Sequence, residues 1–99
     1  MAAGPTHRKL VSVSTEAQLR AAIGSDVTIE ITADIYLTST ISIYNKNNLV
    51  INGNGHKVDG QGVAQCFYIS GSTSVVEVND LTITNGYDVR SKHLVASRL

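Results

Sequence analysis

The chain has 99 residues, enough for one small domain and too few for two independent hydrophobic cores. Eight basic and eight acidic residues give a formal net charge of zero, which argues against a protein that binds nucleic acid or a membrane surface through charge. Apolar residues make up 42% of the chain and charged residues 16%, a composition typical of a folded protein and not of a disordered one.

Targeting and redox signals are few. No apolar run approaches the length of about 18 residues that a membrane-spanning helix needs. The opening residues Met1 to Pro5 lack the apolar segment of a secretory signal. We therefore expect either an intracellular protein or a chain that begins after a removed signal. Cys66 is the single cysteine, which excludes an internal disulfide and a cysteine metal cluster.

The first predicted elements are a short strand and a helix. Residues 10–13 are apolar or β-branched apart from one serine, which favours a strand. Thr15 followed by Gln18 three residues later fits a capping box, which predicts a helix over about residues 15–23. Gly24 is expected to end that helix in the left-handed conformation.

From Val27 onward the apolar period changes to two, which predicts short strands with one buried face. On this pattern Cys66 points outward and could lie in a contact between subunits. The residues predicted to point inward are Val27, Ile29, Ile31, Ile35, Leu37, Ile41, Ile43, Leu49, Ile51, Phe67, Ile69, Val76, Val78, Leu81 and Ile83.

The connections between these strands are short and rich in Asn, Gly, Asp and Ser, which tolerate left-handed backbone. Two architectures follow. Strands joined by hairpins would form a sandwich or a small barrel. Strands coiled in one direction would form a solenoid of parallel rungs.

Two observations favour the solenoid. Residues 49–53 and 81–86 are near copies, with an apolar-x-Ile core followed by Asn and Gly, and residues 27–31 lie one plausible coil before the first copy. The corner Asn79-Asp80 is too short to reverse the chain while Val78 and Leu81 both stay inward, although Asn-Asp also occurs in tight hairpins. Asparagines at matching corners are expected to form hydrogen-bonded ladders.

The stretch from Val13 to Tyr87 resembles the N-terminal part of a right-handed parallel β-helix of the pectin-lyase-like superfamily. The resemblance implies an all-β fold: a short right-handed parallel β-helix, or solenoid, of about three to four coils with an N-terminal capping α-helix. The expected division is a flexible segment at 1–9, the β-helix domain at 10–87, and a tail or cap at 88–99. The segments that carry the resemblance are 15–23, 29–31, 49–62 and 81–86.

The resemblance is less informative about function, because the superfamily contains lyases, glycosidases, epimerases and adhesins. The catalytic segments of its inverting glycosidases have no match in this chain. The leading interpretation is therefore a non-catalytic structural, self-assembling or surface-interaction module that could recognise carbohydrate. The sequence itself does not assign a compartment, and the resemblance implies a secreted or cell-surface origin. The alternatives are a polysaccharide lyase or hydrolase with a site shared between subunits, and an ice-binding protein that uses outward threonines at 28, 32, 82 and 84.

His56, Lys57 and Asp59 are the candidate catalytic residues, since they offer a base, a cation and an acid within four positions. The strand period places Lys57 and Asp59 on one face and leaves His56 at the corner, which divides the trio. Asp59 also fits a simple turn residue. No cofactor or metal is predicted; a calcium ion would draw its ligands from Asp59, Asn52 and Asn54.

Tyr36, Tyr44 and Tyr68 point outward on the same pattern, and exposed tyrosines can stack on sugars or fill a subunit contact. The expected partners are carbohydrate and further copies of the chain, with no nucleic acid and no membrane. Self-association is predicted through the C-terminal end, because a solenoid end without a cap exposes unpaired strand edges.

Overall fold

The structure is a computed structural model that describes residues 9–62, 66–71 and 75–84, and the backbone of two further strands at 90–91 and 94–98. It contains one helix, α1 (Glu16–Ala22), among short strands. The strands are β1 (Lys9–Val13), β2 (Val27–Ile31), β3 (Ile35–Tyr36), β4 (Ile41–Tyr44), β5 (Leu49–Asn52), β6 (Lys57–Asp59), β7 (Phe67–Ser70), β8 (Val76–Asn79), β9 (Thr82–Thr84), β10 (Arg90–Ser91) and β11 (Leu94–Arg98).

The strands form three sheets, and every pairing between them is parallel. Sheet I has the order β1-β2-β5-β8-β11, sheet II the order β3-β6-β9, and sheet III the order β4-β7-β10. From β2 onward, successive strands enter sheets I, II and III in turn, so strand neighbours are three elements apart in the chain. This arrangement excludes the hairpin-paired sandwich or barrel for these strands.

One core lies behind all three sheets. It contains every residue predicted to point inward, with Ile83 partly buried at its margin. Strict alternation therefore identified the buried face correctly. Val50 departs from the alternation: it points away from the core, yet it is only 8% exposed, between Thr28 and Glu77 of the neighbouring strands.

The internal repeat was assigned only half correctly. Val27 pairs with Leu49, as predicted, so residues 27–31 and 49–52 are equivalent strands of sheet I. The segment that begins at Leu81 is not their equivalent, because β9 lies in sheet II beside β6. The third equivalent strand is β8, where Val76 pairs with Leu49. The similarity between residues 49–53 and 81–86 was misleading because the strands of sheets I and II both place Ile or Val in the core.

The outward position predicted for Cys66 is wrong. Its side chain is fully buried, and the neighbouring Phe67 is fully buried too. The chain bends at Cys66, and the alternation of β7 starts only at Phe67, so the period of two does not extend to Cys66. The Cys66 carbonyl still accepts a hydrogen bond from the Ile41 N–H at 2.9 Å, which fixes this bend to the adjacent strand.

The helix begins as predicted and ends differently. Thr15 is the N-cap, and its Oγ1 accepts a hydrogen bond from the Gln18 N–H at 3.2 Å. The Gln18 side chain accepts from the Ser14 N–H and not from that of Thr15, so the capping box is displaced by one residue. Gly24 does not adopt the left-handed conformation; the chain leaves the helix at Ile23, whose ψ of 124° is no longer helical.

The corners between strands use the residues that the sequence indicates. Among the residues that the structure describes, six other than glycine have positive φ, and all are Asn, Asp or Gln: Asp26, Asn45, Asn48, Asn54, Gln61 and Asp80. At the Asn79-Asp80 corner, Val78 and Leu81 are both buried, as predicted. Gly53 is required for a different reason: a Cβ there would lie 2.6 Å from the Leu81 Cα.

The C-terminal strands extend two of the sheets. β10 pairs with β7, and β11 pairs with β8 with a register shift between Leu94 and Ala96. The predicted segments 1–9 and 88–99 lie largely outside the described residues, and the proposed domain limits stay predictions. Within the part of the chain that the structure describes, no helix is long and apolar enough to cross a membrane.

Candidate functional site

Two tyrosines lie side by side on the outer face of sheet III. Tyr44 ends β4 and Tyr68 lies in β7, and the register pairs Tyr44 with Ser70 and Ser42 with Tyr68. The two residues are therefore diagonal neighbours on adjacent strands, with Cα atoms about 8 Å apart from the strand spacing and the rise of two residues. Tyr44 is 64% exposed and Tyr68 38% exposed, so both present ring surface to solvent. We call these four residues the tyrosine face.

Tyr36 lies elsewhere. It ends β3 in sheet II, is 52% exposed, and pairs in register with Asp59. The alternation correctly predicted that all three tyrosines are exposed. It could not show that they divide between two sheets, because that depends on how the strands are distributed in space.

The candidate catalytic residues are arranged as the strand period predicts. Lys57 and Asp59 flank the buried Val58 and share the outer face of β6, whereas His56 occupies the corner before the strand. His56 Nδ1 lies 3.5 Å from the Asp34 carboxylate, and the same carboxylate accepts the Lys57 N–H at 3.0 Å. A catalytic role of His56, Lys57 and Asp59 stays a prediction.

Asp59 has a clear local role. Its carboxylate accepts a hydrogen bond from the Gln61 N–H at 2.9 Å, two residues further along the chain. Gln61 has a φ of 50°, and its side chain donates to the Leu37 carbonyl at 2.8 Å. The Asp59 carboxylate therefore holds a left-handed turn, which is a structural function that Asp often has.

The outer face of sheet I carries a ladder of polar side chains. Asn79 Nδ2 donates to Asn52 Oδ1 at 3.0 Å, and Asn52 Nδ2 donates to the Glu30 carboxylate at 2.8 Å. Asn54 Nδ2 reaches the second Glu30 oxygen at 2.8 Å, and Asn79 also donates to Glu77 at 2.7 Å. This amide ladder, consisting of Glu30, Asn52, Asn54, Glu77 and Asn79, confirms the predicted pairing of asparagines at matching corners.

The three residues considered as calcium ligands do not lie together. Asn52 and Asn54 bond Glu30 on sheet I, whereas Asp59 lies in β6 of sheet II. Among the described residues, no group of three or more His, Cys, Asp or Glu side chains is placed to hold a metal ion.

The outward threonines are also distributed over different sheets. Thr28 lies in β2 of sheet I, and Thr32 follows that strand and donates through Oγ1 to the Val13 carbonyl at 3.0 Å. Thr82 and Thr84 lie in β9 of sheet II, where they pair in register with Lys57 and Asp59. The structure does not bring the four threonines onto one surface.

Sequence reasoning missed an ion-pair cluster that ties α1 to the corner before β4. Arg20 bonds Glu16 at 2.8 Å and also donates to the carbonyls of Ser39 and Thr40. The Thr38 N–H donates to Glu16, and with the Arg20 guanidinium it lowers the pKa of this carboxyl below its ordinary value. The i,i+4 spacing of Glu16 and Arg20 was the available signal, but it does not reveal the contact to residues 38–40.

Comparison with known families identifies the fold relationship. Residues 10–96 match the model of a family described as a putative pectate lyase-like adhesive domain. The chain belongs to this family. The match confirms the pectin-lyase-like relationship that the sequence suggested, and the family's description indicates a non-catalytic adhesive role with a surface or secreted setting. No curated protein and no solved structure matches the chain.

Proposed function

We propose that the chain is a short right-handed parallel β-helix that acts as a non-catalytic adhesive module and binds carbohydrate through its tyrosine face. The family match supports the adhesive role. Three observations support the β-helix: the parallel pairing, the cyclic use of three sheets, and the single core behind them. Equivalent residues of sheet I lie 22 and 27 positions apart, at Val27, Leu49 and Val76, which suits one coil per repeat.

The tyrosine face is the observation that carries the carbohydrate proposal. Tyr44 and Tyr68 expose flat rings, and the exposed Ser42 provides a hydroxyl group beside Tyr68. Aromatic rings pack against the apolar faces of sugar rings, while hydroxyl groups exchange hydrogen bonds with those of the sugar. Two rings on adjacent strands can contact successive units of one oligosaccharide.

The rigid setting of the face also supports the proposal. Tyr44 and Tyr68 each follow or precede fully buried core residues, Ile43 and Ile69 among them, so their backbone is fixed by packing. A binding surface on rigid strands loses little conformational entropy when a ligand binds. Weak contacts of this kind become strong adhesion only when several modules engage one polymer together.

The test is binding to immobilised polysaccharides, with a neutral glucan and polygalacturonate as the two probes. We expect Tyr44→Ala and Tyr68→Ala each to weaken binding about tenfold, because each variant loses one contact between an aromatic ring and the sugar. Tyr36→Ala is the matched control, because it removes a tyrosine of intermediate exposure, between those of Tyr44 and Tyr68, from another sheet and should leave binding unchanged. Binding that is lost equally in all three variants, or in none, contradicts the tyrosine face.

A further inference from the structure

β1 is the N-terminal edge strand of sheet I. Its hydrogen bonds to β2 determine which of its backbone groups face that neighbour and which face outward. The Lys9 N–H donates to the Asp26 carbonyl and the Val13 carbonyl accepts from the Thr32 N–H, so Lys9, Val11 and Val13 face β2. In a parallel pair the alternate residues then face the other way. The backbone groups of Leu10 and Ser12 therefore point to the outer edge, where the described residues supply no further strand.

Among the described strands, β11 forms the opposite edge of the same sheet. The carbonyls of Val75, just before β8, and of Asn79, at its end, accept hydrogen bonds from the chain of β5. The backbone groups of Val76 and Val78 therefore face β11. Ser97 pairs in register with Val78, and the parallel pattern turns the Ser97 N–H and carbonyl to the outside. Both terminal strands have five residues and run in the same direction, so one could continue the sheet that the other ends.

A groove of about 440 Å³ lies beside β1, between this strand and α1. Its apolar lining comes from Val11, Val13, Ala22 and Val27, with Gln18 and Asp26 among the polar residues around it. Val11 and Val13 point inward and lie on the same side as the core. A strand added to the edge of β1 would place its own inward side chains in this groove, as in β-strand addition.

The exposed surface of α1 leaves room for such an approach. Ala17, Gln18 and Ala21 are its exposed residues, and none carries a charge. The charged residues of the helix, Glu16 and Arg20, are instead bonded to each other and to the corner at residues 38–40. The exposed side chains of the helix are therefore uncharged, and of these Gln18 and Ala21 line the groove.

We propose that this 99-residue chain assembles head to tail, with β11 of one copy adding as a parallel strand to β1 of the next. The interface is heterologous, so it can repeat and produce a row of copies. Sheet I becomes continuous along the row, and a formal net charge of zero means that the copies do not repel one another. This assembly rests on the two sheet edges and the groove and does not depend on carbohydrate binding.

The test uses two proline variants, each of which blocks one edge. Ser12→Pro removes an outward N–H from β1, and Ser97→Pro removes an outward N–H from β11, while neither removes a bond within sheet I. Ser12→Ala and Ser97→Ala are the matched controls, because they keep the N–H groups. Mass is measured by sedimentation equilibrium from about 10 µM to about 1 mM, and circular dichroism verifies that each variant is folded.

The expected result is complementation. The unchanged chain and both alanine variants rise in mass with concentration above the 10.6 kDa of one chain, without stopping at a dimer. Each proline variant alone stays monomeric, but an equimolar mixture of the two forms a dimer, since one retains β11 and the other retains β1. A misfolded variant could not restore association on mixing. An unchanged chain that stays monomeric, a mass that stops at a dimer, or folded proline variants that fail to combine would overturn the proposal.

Discussion

On sheet I the outward polar side chains bond one another, whereas on sheet III the outward tyrosines stand in solvent. Asn52 donates to Glu30 and accepts from Asn79, so these groups are already used inside the molecule. Tyr44, at 64% exposure, keeps most of its ring available. Both faces are built from alternate residues of parallel strands. The difference shows that its register neighbours decide whether an outward side chain is bonded within the molecule or stays exposed to solvent.

The strongest effect is expected where the amide ladder meets the core. Gly53 follows Asn52, and a Cβ at this position would lie 2.6 Å from the Leu81 Cα and 2.7 Å from its Cβ. Gly53→Ala should destabilise the fold by about 3 kcal/mol and lower Tm by about 15 °C, because backbone cannot move aside. Gly55→Ala is the control, since its φ of 80° costs only about 1 kcal/mol and its Cβ would meet nothing within 4 Å. Equal melting temperatures for the two variants would contradict this close approach.

Breaking the ladder itself should have the next largest effect. Asn52→Ala leaves the Glu30 carboxylate and the Asn79 amide without their shared partner at a part-buried position. We expect a loss of about 2 kcal/mol in the free energy of unfolding, measured by urea denaturation. Asn47→Ala, at an exposed corner residue, should change stability by less than about 0.5 kcal/mol. A ladder variant as stable as this control would mean that the amide bonds contribute nothing.

Acid should weaken the helix attachment. The Thr38 N–H and the Arg20 guanidinium hold the pKa of Glu16 below its ordinary value of 4.5. The stabilisation from the Glu16 carboxylate is therefore complete above that pH and is lost as the pH falls through the lower, folded-state pKa. Urea unfolding from about pH 7 to about pH 3 should show the stability difference between the unchanged chain and Glu16→Gln shrinking on the acid side. A difference that is constant over this range would exclude the cluster as its source.

The smallest stability effect is expected on the tyrosine face, which completes the contrast with sheet I. Tyr44→Ala removes an exposed ring with no part in the core, so the free energy of unfolding should change by less than about 0.5 kcal/mol. The same variant should lose polysaccharide binding, and Asn52→Ala should retain it as long as it is folded. If the Tyr44→Ala chain unfolds at a much lower urea concentration than the unchanged chain, the Tyr44 ring stabilises the fold and the prediction is wrong.

The inward residues could be predicted from sequence because the side-chain period of a strand is two and the core accepts only one face. Val27, Ile41 and Val76 were all identified in this way. The helix start could be predicted from Thr15, because a capping bond is local in sequence. The left-handed corners followed in the same manner from Asn, Asp and Gly.

The features that the sequence did not reveal depend on two things: where the chain bends, and which strands become neighbours in a sheet. The segment at Leu81 looks like residues 49–53 yet lies in another sheet, because apolar alternation is the same for every sheet. Cys66 was misplaced because a bend interrupts the period before β7. The division of the tyrosines between two sheets, and the anchoring of Glu16 to residues 38–40, are long-range consequences of the same kind.

The full burial of Cys66 makes its thiol a site-specific probe of local opening. A thiol reagent in solution can reach the sulfur only when the structure around Cys66 and Phe67 opens, so the labelling rate reports the free energy of that opening. Since the chain has no second cysteine, the signal comes from one place. The same reagent can therefore compare how readily this part of the protein opens alone, on a polysaccharide surface, and within a row of copies.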